Sequence, residues 1–195
     1  PELLVLACVS KAVFSELAET RPDLAAELLH TPTYWDRKGE IPEGAEPWFP
    51  VRAFAVAGGE RLCAGLFDRS FVAAQRRFST ADGVPRLSPL LREALDEAER
   101  LAADPRLVLR MTLRSGDVQF IHSHQTWHAR SGFEDDAEAP RHLLRLWLCP
   151  GEGDAWPLPT EYAARYGTLE VGGAVPRGGV RCPGVQPFVP LTPRG

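Results

Sequence analysis

Histidines are concentrated in one short segment of the chain. Three of the five, His122, His124 and His128, lie within seven residues of one another. Imidazole is a ligand for zinc, iron, copper and nickel, and strand residues two or four apart share a face, so these side chains could converge on one ion. The sequence contains no HxD, HxE or HExxH pattern to add a carboxylate. Spacing alone leaves two interpretations open, a metal role for at least one of the three or ordinary surface or hydrogen-bonded histidines.

Two arginines give the second chemical signal. A strand over residues 140–149 places Arg141 and Arg145 on one face, and both faces of this strand are otherwise largely apolar. Burying an unpaired charge is very unfavourable, so each arginine requires an anionic partner. That partner is either an internal carboxylate, such as one from residues 134–136, or a ligand carboxylate held by two parallel hydrogen bonds.

The composition restricts the class of protein. The chain has 195 residues, and its 22 basic and 26 acidic side chains give a net charge of -4, so we expect no nucleic-acid partner. No apolar run approaches the ~18 residues of a membrane span, so we expect a cytoplasmic protein without a membrane segment. The four cysteines are widely spaced and are expected to be reduced thiols: Cys8, Cys63, Cys149 and Cys182.

Helical periodicity identifies the elements that must support these residues. A buried strand over 3–9 is followed by apolar residues at helical spacing over 10–30, where Pro22 divides the segment into two helices. The strongest helix is predicted over 89–103, with Ser88 as its cap. A short helix is expected over 71–77.

Strand signals occupy the remaining segments. Residues 49–56 and 61–67 flank Gly58-Gly59 and predict a hairpin. Alternating apolar residues over 107–113, a turn at 114–117 and a returning strand over 118–123 predict a second hairpin.

The segment over 31–50 is rich in proline and is expected to be a loop. It contains three aromatic residues, Tyr34, Trp35 and Trp48. Long ordered loops of this kind act as lids or binding loops, although aromatic side chains also fill cores. Both interpretations remain open from the sequence.

The order of elements predicts a mainly β fold with helical additions, either a β-sandwich or a jelly roll. We expect one domain over 1–195. Glycine and proline make up 17 of the 46 residues over 150–195, so this end is expected to wrap around the domain.

Four blocks of sequence resemble the C-terminal core of the TauD/TfdA-like family of Fe(II)/2-oxoglutarate-dependent oxygenases. They occur in the family's order and spacing, at 116–120 (GDVQF), 128–130 (HAR), 133–135 (FED) and 141–148 (RHLLRLWL). Shorter similarities at 21–24, 35–37, 85–87 and 164–167 extend the resemblance over nearly the whole chain. The resemblance implies a double-stranded β-helix, which is a type of jelly roll.

The resemblance also implies a set of site residues. His128 corresponds to the family's distal iron ligand, and Arg141 to the arginine that binds the far carboxylate of 2-oxoglutarate. Arg145 is then expected near the iron-bound end of the cosubstrate or an acidic group of the substrate, whereas His122 and His124 become structural or pocket-lining residues. The implied cofactors are Fe(II) and 2-oxoglutarate, and the implied reactants are O2 and a small-molecule substrate whose unactivated C–H bond is oxidised.

The family's HxD pair of iron ligands is absent from the sequence. The chain begins with Pro1-Glu2 directly before a buried strand, and the family places the pair just before that strand. We therefore expect the pair upstream of Pro1. The alternatives are a non-catalytic jelly-roll binding module that has lost its iron, and a cupin-like metalloenzyme that uses all three clustered histidines.

Overall fold

The computed structural model describes residues 3–38, 41, 44–58, 61–65, 70–130, 138, 143–144 and 158–162. Within these residues the strands are β1 Leu3–Val9, β2 Thr33–Asp36, β3 Trp48–Val51, β4 Phe54–Ala57, β5 Arg61–Ala64, β6 Val108–Leu113 and β7 Thr126–Arg130. The α-helices are α1 Ser10–Thr20, α2 Pro22–His30, α3 Ser70–Arg77 and α4 Pro89–Ala102. Short 3-10 helices occur at Thr80–Asp82 and Thr160–Tyr162.

The central element is a three-stranded antiparallel sheet with the order β6-β1-β7. Strand β1 lies in the middle and pairs with two strands that are about a hundred residues away along the chain. In this register Ala7 lies opposite both Leu109 and His128, and Cys8 lies opposite both Val108 and Trp127. Because directly opposite residues share a face, these two rows lie on opposite faces of the sheet.

Two separate hairpins accompany this sheet. Strands β4 and β5 pair around Gly58, which confirms a hairpin there. The single strand predicted over 49–56 was wrong, because this segment contains two strands, β3 and β4. Strands β2 and β3 also pair, so the prediction of a loop over the whole of 31–50 was wrong at both of its ends. Buried Trp35 and Phe49 lie opposite each other in this second hairpin, and their burial accounts for the pairing.

Three helices pack together and cover the buried side of these strands. Pro22 begins α2 directly after α1 ends, which confirms the predicted division. The Ser88 hydroxyl accepts a hydrogen bond from the Leu91 backbone N–H at 2.9 Å, which confirms the predicted cap of α4. The core they share includes fully buried side chains from α1, α2, α4 and β4: Val13, Leu17, Leu24, Leu28, Leu101 and Phe54.

The second predicted hairpin is only half present. The turn after β6 forms, with the Asp117 N–H donating to the Arg114 carbonyl at 3.0 Å and Gly116 in the left-handed region at φ 93°. Residues 118–123 do not form a strand, however, and the described partner of β6 is β1, which occupies one edge of β6. The predicted returning strand was therefore wrong.

Several expectations fall on parts of the chain outside the described residues. These include the strand over 140–149, most of the wrap over 150–195 and closure of the sheets into a jelly roll. Within the described part, the strands form three separate antiparallel sheets and no closed barrel. None of the described helices has the length and apolar character that crossing a bilayer requires.

Candidate functional site

His128 lies on β7 and projects from the face of the central sheet that is opposite the helices. It shares that face with Ala7 and Leu109, and both His128 and Leu109 are exposed. The structure thus presents this ring on an open, largely apolar face.

The neighbouring residue anchors β7 from the other face. Trp127 is 9% exposed, and its ring lies 5.0 Å from the ring of fully buried Phe54. Phe54 in turn lies 5.0 Å from Phe14 of α1 in an edge-to-face contact. Because successive side chains of a strand point to opposite faces, Trp127 is buried in the core while His128 is exposed on the other face.

The other two clustered histidines lie before β7 rather than on it. The backbone N–H groups of Gln125 and Thr126 both donate to the His122 carbonyl, each at 3.0 Å, so residues 122–125 form a tight turn. His122 is exposed, whereas His124 is turned towards β5. The interpretation that all three project from one strand face is therefore wrong.

His124 is enclosed between β5 and the segment that contains Tyr162. Its Nδ1 lies 3.1 Å from the Ala64 carbonyl oxygen, and its ring lies 5.3 Å from the Tyr162 ring. Burial lowers the pKa of His124 below its ordinary value, more than the bond to Ala64 raises it, and nearby His122 lowers it further. The ring is therefore held in its neutral form.

A polar contact fixes the Tyr162 segment to the hairpins. The Arg52 guanidinium pairs with the Glu161 carboxylate and donates to the Leu29 carbonyl at 3.0 Å. The hydrogen bond that Arg52 donates to Glu161 raises the pKa of Arg52. Gly65 lets these parts approach, because a Cβ there would overlap the Arg52 carbonyl oxygen and lie 3.2 Å from the Tyr162 hydroxyl. Spacing gave no signal for this contact, whose partners are 109 residues apart.

The chemistry of the described residues fits one metal ligand. Imidazole is a normal ligand for Fe(II), and His128 is exposed on the open face of the central sheet. Among the described residues there is no group of three or more histidine, cysteine or acidic side chains able to hold an ion. A metal at His128 would therefore need further ligands from outside the described part of the chain, and the cupin-like site with three histidines gains no support.

The predicted cosubstrate residues Arg141 and Arg145 lie outside the described residues. Their roles stay predictions that depend on the resemblance.

The aromatic residues of the second hairpin divide between core and surface. Trp35 is buried, and its Nε1 donates to the Thr33 hydroxyl at 2.8 Å, which favours the core interpretation for this residue. Trp48 is half-buried, packs on Tyr34 and donates to the Asp82 carbonyl at 3.0 Å. Trp48 is therefore held against the first 3-10 helix.

A charged groove of about 650 Å³ lies between α2 and α4. Arg21 bridges Asp23 at 2.8 Å and Glu93 at 2.7 Å there, and Arg100 pairs with Glu97 at 2.7 Å. The chain's own carboxylates thus neutralise these two arginines of the groove.

Comparison with known proteins defines the class. Residues 8–147 match the family described as "Taurine catabolism dioxygenase TauD, TfdA family". The chain therefore belongs to the TauD/TfdA family, as the sequence resemblance indicated.

Individual relatives agree with this assignment. The chain is 27% identical over 177 residues to FR-33289 synthase of Streptomyces rubellomurinus, covering 80% of this chain and 50% of the relative. It is 33% identical over 158 residues to taurine hydroxylase-like protein SAT17 of Stachybotrys chartarum, covering 77% and 37%. It is 30% identical over 136 residues to a uridine-5'-phosphate dioxygenase of Amycolatopsis, covering 70% and 46%. The chain thus spans half or less of the length of these relatives.

Proposed function

We propose that this chain forms the C-terminal part of an Fe(II)/2-oxoglutarate-dependent dioxygenase with a jelly-roll fold. The observation that carries the proposal is the presentation of His128 on the open face of the central sheet. The sequence resemblance implies that this residue corresponds to the family's distal iron ligand. Trp127, on the other face, holds the strand to the core. The chain therefore supplies one rigidly supported imidazole.

In this proposal each residue has a limited task. His128 holds Fe(II), which together with 2-oxoglutarate and O2 supplies the oxidising chemistry, with succinate and CO2 as products of the cosubstrate. Arg141 binds the far carboxylate of 2-oxoglutarate by two hydrogen bonds, and Arg145 binds near its other end or an acidic group of the substrate. Ala7 lies next to His128 on this face and Leu109 lies on the far side of Ala7, so their apolar side chains help to exclude water from the proposed site.

The proposed substrate is a small molecule that loses a hydrogen from an unactivated C–H bond, most simply by hydroxylation. Two of the relatives carry names that contain taurine and uridine-5'-phosphate, both small organic molecules. A single domain over 1–195 and a cytoplasmic location stay part of the proposal.

A second candidate is a non-catalytic binding module that keeps the cosubstrate pocket without iron. The observation that favours it is the lack of an HxD or HxE pattern in the sequence. The dioxygenase proposal requires that pair upstream of Pro1, so the residues encoded there discriminate between the two candidates.

Metal titration of the complete protein tests the proposal. Co(II) is added with 2-oxoglutarate under anaerobic conditions, and binding is followed by the visible ligand-field absorption of the ion. We expect binding by the wild type and its loss in His128→Ala. His30→Ala is the matched control, because it removes an exposed imidazole at the end of α2. Equal binding by wild type and His128→Ala would reject the assignment, and no binding by the wild type would favour the binding module.

A further inference from the structure

The turn over 122–125 is attached to β5 through one histidine. The Ala64 N–H donates to the His124 carbonyl at 2.8 Å, and the His124 Nδ1 lies 3.1 Å from the Ala64 carbonyl oxygen. A carbonyl oxygen only accepts hydrogen bonds, so Nδ1 must carry the hydrogen and donate. His124 therefore makes two hydrogen bonds in opposite directions with one residue, as a residue paired in a strand does.

The next residue extends the attachment in two directions. The Gln125 Nε2 donates to the Leu62 carbonyl at 2.8 Å. The Gln125 carbonyl accepts from both the backbone N–H of Ser10 at 3.0 Å and its hydroxyl at 2.9 Å. The turn is thus held between β5 and the first residue of α1, where Ser10 is itself buried.

This attachment lies directly before β7. Thr126, the first residue of β7, pairs with Val9, and His128 pairs with Ala7 two residues later. A slip of one residue in a strand moves each side chain to the other face. The turn thus precedes a strand whose register places residue 128 on the open face rather than in the core.

We propose that His124 is a positioning residue for His128: by donating from Nδ1 to Ala64 it fixes the turn that sets the register of β7. The inference rests on the proposed function only where it concerns metal affinity. It assigns His124 no contact with metal, cosubstrate or substrate. The donor atom, rather than the bulk of the ring, is the feature that matters.

Two substitutions separate the donor from the bulk. His124→Asn keeps an N–H donor at the place of Nδ1 and loses most of the ring. His124→Phe keeps a ring of similar size and loses the donor. If His124 only fills space, Phe should preserve its role more fully than Asn. If its Nδ1 donor positions the turn, Asn should preserve its role more fully than Phe. His30→Phe is the control for replacing an imidazole by a phenyl ring elsewhere.

The first measurement is Co(II) affinity of the complete protein in the presence of 2-oxoglutarate. We expect His124→Phe to weaken Co(II) binding by about 10-fold, the lower end of the loss that follows removal of support from a metal ligand. We expect His124→Asn and His30→Phe to bind like the wild type. Wild-type affinity in His124→Phe, or equal weakening in the Asn and Phe variants, would overturn the inference.

The second measurement needs no metal. Amide hydrogen exchange of β7 in the metal-free protein should be faster by about 10-fold or more in His124→Phe, because the strand opens more often, and unchanged in His124→Asn. A wild type that binds no Co(II) rejects the proposed function, and exchange then decides the inference: unchanged β7 exchange in His124→Phe overturns it. Should the Phe variant fail to fold, His124→Leu removes the same Nδ1 donor with a smaller apolar side chain and is expected to give the same two effects, whose absence counts against the inference.

Discussion

The contact between Phe54 and Trp127 should contribute measurably to stability, because it ties the strand that bears His128 to the core. Phe54 is fully buried and Trp127 is 9% exposed, with their ring centroids 5.0 Å apart. Aromatic pairs of this kind contribute about 0.5–1.5 kcal/mol beyond the area they bury. We therefore expect Phe54→Leu and Trp127→Leu to show a coupling energy of about 1 kcal/mol in a double-mutant cycle.

The cycle is measured by urea unfolding of the complete protein, followed by circular dichroism so that loss of a tryptophan does not change the signal. Phe54→Leu alone also weakens the contact with Phe14 at 5.0 Å, so it should cost more than the coupling energy. A parallel cycle of Phe54→Leu with Trp48→Leu is the control, because Trp48 has a different ring partner, Tyr34. Additive energies for Phe54 and Trp127, within about 0.5 kcal/mol, would refute the claim that this contact anchors β7.

Three further results are expected. Ser88→Ala should lower the free energy of unfolding by about 1 kcal/mol, through loss of the bond from the Leu91 N–H, and a loss of less than about 0.3 kcal/mol would contradict the cap. Burial lowers the pKa of His124, so the stability that depends on its neutral form is fully present above the ordinary pKa of 6.5 and is lost as the pH falls through the lowered, folded-state pKa. The melting temperature of His124→Asn should therefore fall less steeply with acidification than that of the wild type. Parallel curves of melting temperature against pH for the two proteins would contradict this. Arg141→Lys keeps the charge but loses the paired hydrogen bonds, so the apparent affinity for 2-oxoglutarate should fall roughly 10- to 100-fold, from the ~1.5–3 kcal/mol of a charged hydrogen bond. A Michaelis constant for 2-oxoglutarate equal to that of the wild type would place the cosubstrate elsewhere.

Local signals in the sequence predicted the helices well. Pro22 and Ser88 mark helix starts by their own backbone and side-chain chemistry, and the structure has α2 and α4 beginning there. Strand pairing was harder to predict, because it depends on residues far apart in the chain. The segment over 118–123 follows a turn and an alternating strand, yet it forms no strand itself, and β6 pairs with β1, about a hundred residues earlier in the chain.

The candidate site was also predictable only as far as neighbouring residues determine it. Spacing identified the histidine cluster but gave no means of separating its members, since the difference between His124 and His128 arises from partners far away in sequence. His124 contacts Ala64, 60 residues earlier, whereas His128 lies opposite Ala7. The family resemblance selected His128, and its role as a ligand stays a prediction; the register of β7 shows that its side chain lies on the exposed face of the sheet.

Iron-dependent decarboxylation of 2-oxoglutarate by the complete protein is the most direct test of the proposed function. Succinate is measured with and without Fe(II), in the wild type, His128→Ala and the control His30→Ala, after circular dichroism has shown that each variant is folded. The account predicts iron-dependent succinate in the wild type and control, and none in His128→Ala. Unchanged succinate production in His128→Ala would contradict it.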